Sequence, residues 1–281
     1  MRGLLDLDIF DSIREPIQNF ARAIVRGNKK ILLISEPTLE GALTVAPIEA
    51  ALLDSKIPYR MRFSKLPPDT EPYIRVSESD EFVKASLSGI SLSTIIVEGL
   101  RGSFGDSRKG PLSTVVQAHA LASEINPLSP RLRRMRPWVL SGNWLKESLD
   151  TTYDPVYSRL RDHLSAEGSI RVIPVTEVQD FDIKNYFWIQ PEKIDEYQTL
   201  WPESDLEERE EIMGRLIEPV LFSKSPHTSR IEELLWHCIL GIGWEKDLAS
   251  QISCASSIWE SKMEIESASQ VVDSLLSKGI I

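Results

Sequence analysis

The chain has 281 residues, of which 42% are hydrophobic and 26% are charged, and its formal net charge is −10. This balance is ordinary for a folded globular protein and excludes disordered and fibrous classes, while the length allows a large core in one or two domains. There is no run of roughly eighteen apolar residues and no signal-peptide pattern, and the two cysteines suit a reducing compartment. We therefore expect a cytoplasmic protein with no membrane partner, and the negative charge disfavours general coating of duplex DNA.

The first part of the sequence predicts a helix followed by a βαβ unit. Apolar residues recur at helical spacing over residues 10–24. A short apolar run at residues 31–34, with β-branched Ile at both ends, predicts a strand. Residues 41–55 predict an amphipathic helix, and residues 58–63 predict a second strand. Ligands of open α/β sheets bind where the chain leaves the carboxyl end of a strand, so residues 35–41 should form part of any active site.

Three more elements follow in the middle of the chain. Residues 72–76 predict a short strand, and the almost continuous apolar run at residues 93–98 has the pattern of a buried parallel strand. Residues 111–124 predict a helix with Pro111 in its first turn, where the missing N–H costs nothing.

The order of these elements predicts the fold class and the domains. We expect an α/β protein, with a parallel-sheet DHH-like core and helices on both faces, in residues 1–176. Residues 177–281 should form a mostly helical region. Its predicted helices are residues 203–221, 229–240, 246–259 and 265–276.

The loop predicted after the first strand is the reason for describing the core as DHH-like. Residues 35–44, with the sequence SEPTLEGALT, resemble the first motif of the DHH phosphoesterase superfamily, which includes the RecJ nucleases. In that family the His and Asp side chains of the motif bind manganese. The matching frame places Glu36, Thr38 and Glu40 at the ligand positions, so the resemblance implies that the frame is kept while the ligands are changed.

Two later landmarks of that family are in place with different residues. Glu98 ends the apolar run where the family has a metal-binding Asp. Asn143 ends the sequence LSGN, where the family has a strand that leads into another metal-binding Asp, so the resemblance implies a strand there. The family's Asp-His-His triplet is absent, since no two of the four histidines adjoin. The resemblance, which spans roughly residues 6–173, implies vestigial metal-site positions at Glu36, Thr38, Glu40, Glu98 and Asn143.

The remaining acidic positions predict the chemistry. Glu40 and Glu98 could each still supply a carboxylate, whereas the amide oxygen of Asn143 is a weaker ligand for a hard cation. A two-metal site needs several carboxylates or imidazoles to clamp both ions and prepare a hydroxide. We therefore predict a pseudonuclease with no catalytic residues, no bound metal and no other cofactor.

Inactive proteins of this kind resemble the archaeal relatives of the eukaryotic replication factor Cdc forty-five. The resemblance implies a non-enzymatic subunit of the archaeal DNA replication machinery. Such a subunit binds the GINS complex and, together with it, supports the MCM replicative helicase. The acidic remainder of the chain and its helical tail would then offer surfaces to these protein partners.

One dense basic feature stands out in this acidic chain. Residues 131–136 contain four arginines, and three further basic residues precede them. A basic patch of this kind can follow the phosphate backbone of single-stranded DNA. A solvated connection whose arginines pair with nearby acids explains the pattern nearly as well. The predicted nucleic-acid contacts are Arg101, Arg108, Lys109, Arg131, Arg133, Arg134 and Arg136.

Two other functions stay open. Glu40 and Glu98 would support a residual phosphoesterase or single-strand nuclease if they held Mg²⁺ or Mn²⁺, although carboxylates at strand ends are usually solvated. Gly99, Gly102 and Gly105 follow a strand and precede a helix, which would suit a nucleotide-binding α/β protein. Their spacing is neither that of a dinucleotide fingerprint nor that of a P-loop, so a flexible turn is the simpler interpretation.

Overall fold

The computed structural model describes residues 3–27, 29–77, 84–86, 88–102, 106–146, 148–222 and 226–281. Its helices are α1 (Arg14–Gly27), α2 (Leu39–Asp54), α3 (Thr114–Ile125), α4 (Pro130–Arg134), α5 (Ser141–Trp144), α6 (Ser148–Thr151), α7 (Pro155–Ala166), α8 (Pro191–Leu200), α9 (Leu206–Ile217), α10 (Thr228–Leu235), α11 (Leu248–Ser261) and α12 (Glu264–Lys278). Its strands are β1 (Ile31–Ser35), β2 (Tyr59–Phe63), β3 (Tyr73–Val76), β4 (Lys84–Ala85), β5 (Gly89–Leu92), β6 (Ile95–Arg101), β7 (Ser107–Leu112), β8 (Ile170–Ile173) and β9 (Cys238–Gly241). Short 3₁₀ helices lie at Leu4–Asp6, Asp8–Phe10, Arg136–Leu140, Val175–Glu177, Ile183–Tyr186 and Glu218–Val220.

The main sheet has the strand order β2-β1-β3-β5-β4. Its first four strands are parallel: Leu33 pairs with Met61 on one side and with Ile74 on the other, and Ile74 pairs with Ile90. Strand β4 adds an antiparallel edge. Helix α2 connects β1 to β2, so the predicted βαβ unit is confirmed, as is the short strand expected at residues 72–76.

One face of this sheet carries the hydrophobic core. Side chains alternate between the two faces of a strand, so Ile31, Leu33, Ile74 and Ile90 lie on the same face, in one cluster with residues of α1, α2 and α3. Helix α2 packs between α3 and α12 and is buried along most of its length. This packing fixes the first turn of α2 beside the carboxyl end of β1.

The opposite face of the sheet has a different composition. Leu32 and Ile34 are buried on this face. Of the buried hydrophobic side chains in the described residues, these two lie outside the main cluster. Their cross-strand neighbours are Arg60, Arg62, Tyr73 and Arg75. The predicted class is confirmed: the protein is α/β, with a parallel sheet flanked by helices and a largely helical C-terminal region.

The strand expected at residues 93–98 was assigned to the wrong sheet. Strand β6 forms an antiparallel two-stranded hairpin with β7, and its Ile96 side chain is 66% exposed. The buried parallel strand is β5, which lies just before it in sequence. A run of β-branched residues favours an extended backbone but does not determine which strand it will pair with.

The helix expected at residues 111–124 begins later, at Thr114. Pro111 belongs to strand β7, where it lies opposite Ile96. Both strands of a two-stranded hairpin are edges, so a proline that cannot donate a hydrogen bond is tolerated there. The first-turn position predicted for Pro111 was therefore wrong.

The segment that should have carried a strand ending at Asn143 is helical. Residues 136–140 form a 3₁₀ helix, and α5 continues from Ser141 to Trp144. The side chain of Trp138 is buried and donates a hydrogen bond of 2.9 Å to the carbonyl of Gly279. Trp138 is therefore anchored to the residues after α12. The backbone around it is helical, and the expected strand is not formed there.

The C-terminal region is largely helical and contributes to the same core as the sheet. Strand β9 pairs antiparallel with β8, and α12 packs against α2. The hydrophobic cluster includes residues on both sides of the expected domain boundary after Thr176. None of the described helices is long and apolar enough to span a bilayer.

Candidate functional site

The loop after β1 forms a tight turn that leads directly into α2. Thr38 is the N-cap of α2, and its hydroxyl accepts a hydrogen bond of 3.0 Å from the amide of Gly41. A methyl group on Gly41 would lie 2.4 Å from the carbonyl oxygen of Glu36 and 2.5 Å from the Ser35 hydroxyl. The Thr38 position of the resembling motif therefore serves as a helix cap, and Gly41 is required by the close approach of the backbone.

Glu40 lies in the first turn of α2 and is the centre of a polar cluster. Its Oε2 atom is 2.6 Å from the Nζ atom of Lys146, and its Oε1 atom accepts a hydrogen bond of 3.0 Å from the Thr114 hydroxyl. The Thr114 hydroxyl is in turn 2.9 Å from that of Thr44. The Glu40 side chain is only 11% exposed, so its negative charge is neutralised mainly by Lys146.

This arrangement does not fit a metal ion on Glu40. A carboxylate holds Mg²⁺ at about 2.0–2.1 Å, so an ion bound to the same oxygen would compete for space with the ammonium group of Lys146. Two positive charges at that separation would also repel each other strongly. With Lys146 in this position, Glu40 can stabilise the end of α2 but has no free oxygen for a cation.

The other carboxylates of the predicted set lie apart from this cluster. Glu36 is 35% exposed and is 3.9 Å from Lys65. Glu98 lies on the β6–β7 hairpin and is paired with Arg101 at 2.9 Å. Within the described ranges, no three or more His, Cys, Asp or Glu side chains form a group that could hold a metal ion.

Asn143 connects two neighbouring elements. Its Nδ2 atom donates hydrogen bonds of 2.7 Å to the carbonyl of Pro111 and 3.0 Å to Asp154. Asp154 is buried and caps α7 by accepting hydrogen bonds from the amides of Val156 and Tyr157. Asn143 therefore joins the hairpin to α7 through α5 with its amide nitrogen, while the buried Oδ1 atom has no hydrogen-bond partner among the described residues.

The arginines of residues 131–136 are largely engaged within the protein. Arg131 forms an ion pair with Asp54; burial raises the pKa of Asp54, but hydrogen bonds from Ser129 and Arg131 outweigh this and hold it below its ordinary value. Arg136 forms two hydrogen bonds with Glu167, at 2.6 and 2.9 Å.

The remaining residues of the predicted basic set lie on two elements. Arg134 donates to carbonyls in the last turn of α12, and Arg133 is exposed. Arg108 and Lys109 are exposed on the hairpin, and Arg101 is paired with Glu98 as described. The predicted basic residues thus combine structural ion pairs with a few free side chains.

The glycine-rich turn is explained by packing at the positions that can be described. A methyl group on Gly99 would lie 2.8 Å from the backbone nitrogen of Val156 and 2.9 Å from Cβ of Pro155, so the hairpin can approach α7 closely only with glycine there. A groove of about 380 Å³ beside Gly99 contains Arg101 and Arg159, each already paired with an acid. Gly105 lies outside the described residues.

The sequence-based search missed the arginines of the sheet. Arg60 and Arg62 lie in β2 and Arg75 lies in β3, all on the face opposite the main hydrophobic cluster. A signal was available in the alternation of YRMRF at residues 59–63 and in YIRV at residues 73–76. Both segments place arginine on one face of a strand and apolar residues on the other.

The fold and the site define an α/β protein in which a lysine neutralises the carboxylate at the end of the first strand. No protein-family model matches the chain, and its sequence matches no curated protein.

Proposed function

We propose that the protein is a catalytically inactive RecJ-like subunit of the archaeal DNA replication machinery, which binds GINS and supports the MCM replicative helicase. We infer the loss of catalysis from the ion pair between Lys146 and Glu40, in which Nζ and Oε2 are 2.6 Å apart. A lysine there supplies permanently the positive charge that a cation would bring in a nuclease, but it cannot activate a water molecule in the way a metal ion does.

The local frame of the loop is compatible with an inactive descendant of a DHH-like site. Thr38 caps α2 and Gly41 permits the tight turn, so the backbone of the loop has structural reasons to persist without metal ligands. The carboxylate of Glu40 is held by Lys146 and Thr114. The protein therefore retains a rigid scaffold in which these side chains have structural roles.

The C-terminal region offers a surface for a protein partner. A groove of about 610 Å³ lies between the end of α9 and α10, and its apolar lining includes Ile217, Val220, Leu221, Ile231 and Trp236. Leu221 is 61% exposed and Trp236 is 40% exposed. Exposed apolar side chains gathered at one groove are typical of interaction sites.

The charge beside this groove indicates what kind of partner segment would fit. Residues 206–218, which form α9 and lead into the groove, contain five acidic and two basic residues, and one of the basic residues, Arg215, is paired with Glu211 of the same helix. The excess negative charge favours a basic amphipathic segment, whose apolar side would enter the groove while its Lys and Arg residues face α9. We assign this groove to the protein partner.

Purification of the tagged protein from its native host tests the proposal directly. We expect GINS and MCM subunits to be recovered in stoichiometric amount at moderate salt. Leu221→Glu should release them, whereas Leu128→Glu, which changes a leucine that is 89% exposed and does not line the groove, should not. Recovery of the protein alone, or with metabolic enzymes, would refute the replication role.

Two assays on the purified protein test the other functions. A residual nuclease would cleave a labelled single strand with Mn²⁺, and Glu40→Gln would abolish that cleavage. A nucleotide-binding protein would be stabilised against heat by a nucleotide, because a ligand that binds only the folded state raises its stability. We expect no cleavage and an unchanged melting temperature in both Mn²⁺ and a nucleotide panel.

A further inference from the structure

A second groove of the C-terminal region, of about 460 Å³, runs along α11. The residues of α11 that line it recur at helical spacing, so they form one stripe about 16 Å long. These residues are Ala249, Ile252, Ser253, Ser256, Ser257 and Glu260. The aromatic rings of Trp144, Phe187 and Trp188 belong to the same lining. We call this surface the aromatic groove.

Two hydrogen bonds fix residues 182–185 against α11. The amide of Asp182 donates a hydrogen bond of 2.7 Å to the Ser250 hydroxyl. One turn further along α11, the Ser253 hydroxyl donates a hydrogen bond of 3.0 Å to Oδ1 of Asn185. This side of the aromatic groove is therefore in place before any ligand arrives.

The Trp144 ring is held in place as well. The guanidinium group of Arg230 lies 4.5 Å from the centre of this ring and pairs with Asp150 at 2.8 Å. A cation over an aromatic face is attracted by the electrons of the ring. The charge of Arg230 is thus used within the protein, and Trp144 offers the groove a fixed apolar surface.

One polar atom of the groove lacks a partner. The Nδ2 atom of Asn185 is buried and has no hydrogen-bond partner within the described ranges, and Asn185 lines the groove. A buried N–H group without an acceptor is costly, and an acceptor atom of a ligand would remove that cost. The preceding residue, Lys184, also lines the groove, is exposed, and forms no ion pair with a described carboxylate. An acceptor that carries negative charge would therefore satisfy both side chains.

The two ends of the α11 stripe differ in character. Ala249 and Ile252, at one end, are each 4% exposed and apolar. Glu260, at the other end, is exposed and has no ion-pair partner in the part of the chain that the structure describes. Seven residues separate it from Ser253, which corresponds to about 10 Å along the helix. A ligand that spans the groove would thus meet positive charge near Asn185 and negative charge about 10 Å away.

We propose that the aromatic groove binds the free carboxyl terminus of a peptide or protein whose last side chain is apolar. The terminal carboxylate accepts a hydrogen bond from Nδ2 of Asn185 and pairs with Lys184. The last side chain packs against the aromatic rings and the apolar end of the stripe. An extended chain rises about 3.3 Å per residue, so a basic residue three positions before the last would reach Glu260.

This occupant fits the groove better than a small apolar acid does. Such an acid could use Asn185 and Lys184, but it would fill only part of the length of the stripe and leave Glu260 without a counter-charge. A peptide terminus uses both ends. The proposal does not depend on the replication role, since it rests on the lining and the charges of this groove.

Fluorescence anisotropy of an N-terminally labelled pentapeptide, Gly-Lys-Ser-Ala-Leu, with the full-length protein tests the proposal. The peptide with a free carboxyl terminus should bind about tenfold or more tightly than the same peptide with a C-terminal amide, because amidation removes the negative charge. Replacement of the last leucine of the peptide by aspartate should weaken binding of the free acid, because a charged side chain would then face an apolar lining.

Two variants of the protein test the proposed contacts. Asn185→Asp keeps an acceptor for Ser253 but replaces the unpaired donor by an anionic oxygen, so the free acid should bind about tenfold or more weakly. Lys184→Gln should weaken binding of the free acid about fivefold and leave binding of the amide unchanged. The matched control is Lys30→Gln, which removes an exposed lysine outside the groove and should change neither affinity.

The proposal is overturned if the free acid does not bind, if the amide binds as tightly, or if Lys184→Gln leaves both affinities unchanged. Because Lys184 is exposed, this variant decides the outcome even if Asn185→Asp lowers the melting temperature. Competition by N-acetylleucine as strong as that by the unlabelled peptide would instead assign the groove to a small apolar acid. Leu221→Glu, in the groove between α9 and α10, should not affect peptide binding, so this proposal and the replication role can fail separately.

Discussion

The ammonium group of Lys146 lies 2.6 Å from the carboxylate of Glu40, although 106 positions separate the two residues in the chain. The pair connects the segment after α5 to the first turn of α2. Because Glu40 is 11% exposed and Lys146 is 30% exposed, the pair is only partly screened by solvent. It therefore combines a structural role with the neutralisation of a strand-end carboxylate.

Removal of the lysine should destabilise the protein. Lys146→Met leaves the Glu40 carboxylate without its counter-charge, and we expect a loss of about 1–3 kcal/mol in the free energy of unfolding at neutral pH. Adding Glu40→Gln should restore part of the lost free energy of unfolding, because the buried carboxylate no longer carries an unpaired charge. Urea unfolding of both variants measures this, with Lys30→Met, at an exposed position, as control. Equal stability of Lys146→Met and the wild-type protein would contradict the prediction.

His119 should make the protein sensitive to acid. Burial, with a smaller effect of Arg136, lowers the pKa of His119 from 6.5 to about 3, and neither of its ring nitrogens has a hydrogen-bond partner. Below about pH 6.5 the unfolded chain binds a proton that the folded protein does not, so stability falls by up to about 1.4 kcal/mol per pH unit as pH decreases toward 3. We expect His119→Leu to remove this dependence, which chemical unfolding at pH 7, 6 and 5 would detect. A constant difference between the two proteins would refute it.

The pair of Arg136 and Glu167 should contribute stability in a different pH range. Burial alone would raise the pKa of Glu167, but the hydrogen bonds and the charge of Arg136, with a hydrogen bond from Ser169, outweigh it and hold this pKa well below the ordinary value of 4.5. The contribution is present above about pH 4.5 and declines as the pH falls toward the folded-state pKa. We expect Arg136→Met to be destabilising at pH 7 and progressively less so below pH 4.5.

Unfolding curves of Arg136→Met at several pH values check this expectation. The control is Arg26→Met, which changes an exposed arginine of α1. A destabilisation by Arg136→Met that is independent of pH would show that packing of the arginine, rather than its effect on Glu167, is responsible.

Two glycines with similar backbone angles should respond differently to alanine. Gly279 follows α12 with φ of 80°, and Gly168 follows α7 with φ of 75°. A methyl group on Gly279 would lie 2.9 Å from Cβ of Arg134. A methyl group on Gly168 would meet no atom within 4 Å. Gly168→Ala should cost about 1 kcal/mol for the left-handed backbone, and Gly279→Ala about 1 kcal/mol more for the contact. Thermal unfolding measures both, and equal losses would argue against the steric part.

Local chemistry was sufficient to predict the first βαβ unit. The apolar run before Ser35 and the helical pattern after it depend on neighbours within a few residues, and β1 and α2 lie within two residues of the predicted bounds. The Thr38 cap and the close approach at Gly41 are equally local, but the resemblance had placed Thr38 at a metal-ligand position. Local patterns were less informative at residues 93–98. That run was correctly expected to be extended, but its pairing in a hairpin depends on β7 and on the packing of Gly99 against α7.

The sequence by itself determined the periodicity of its elements, the α/β class and the positions of the acidic and basic side chains. Tertiary structure decided which of them meet: Lys146 with Glu40, Arg131 with Asp54 and Arg136 with Glu167. It also gathered Arg60, Arg62 and Arg75 on one face of the sheet. The physical reason is range: turn and strand preferences arise from sterics between near neighbours, whereas ion pairs and sheet faces depend on contacts between segments that are distant in the chain.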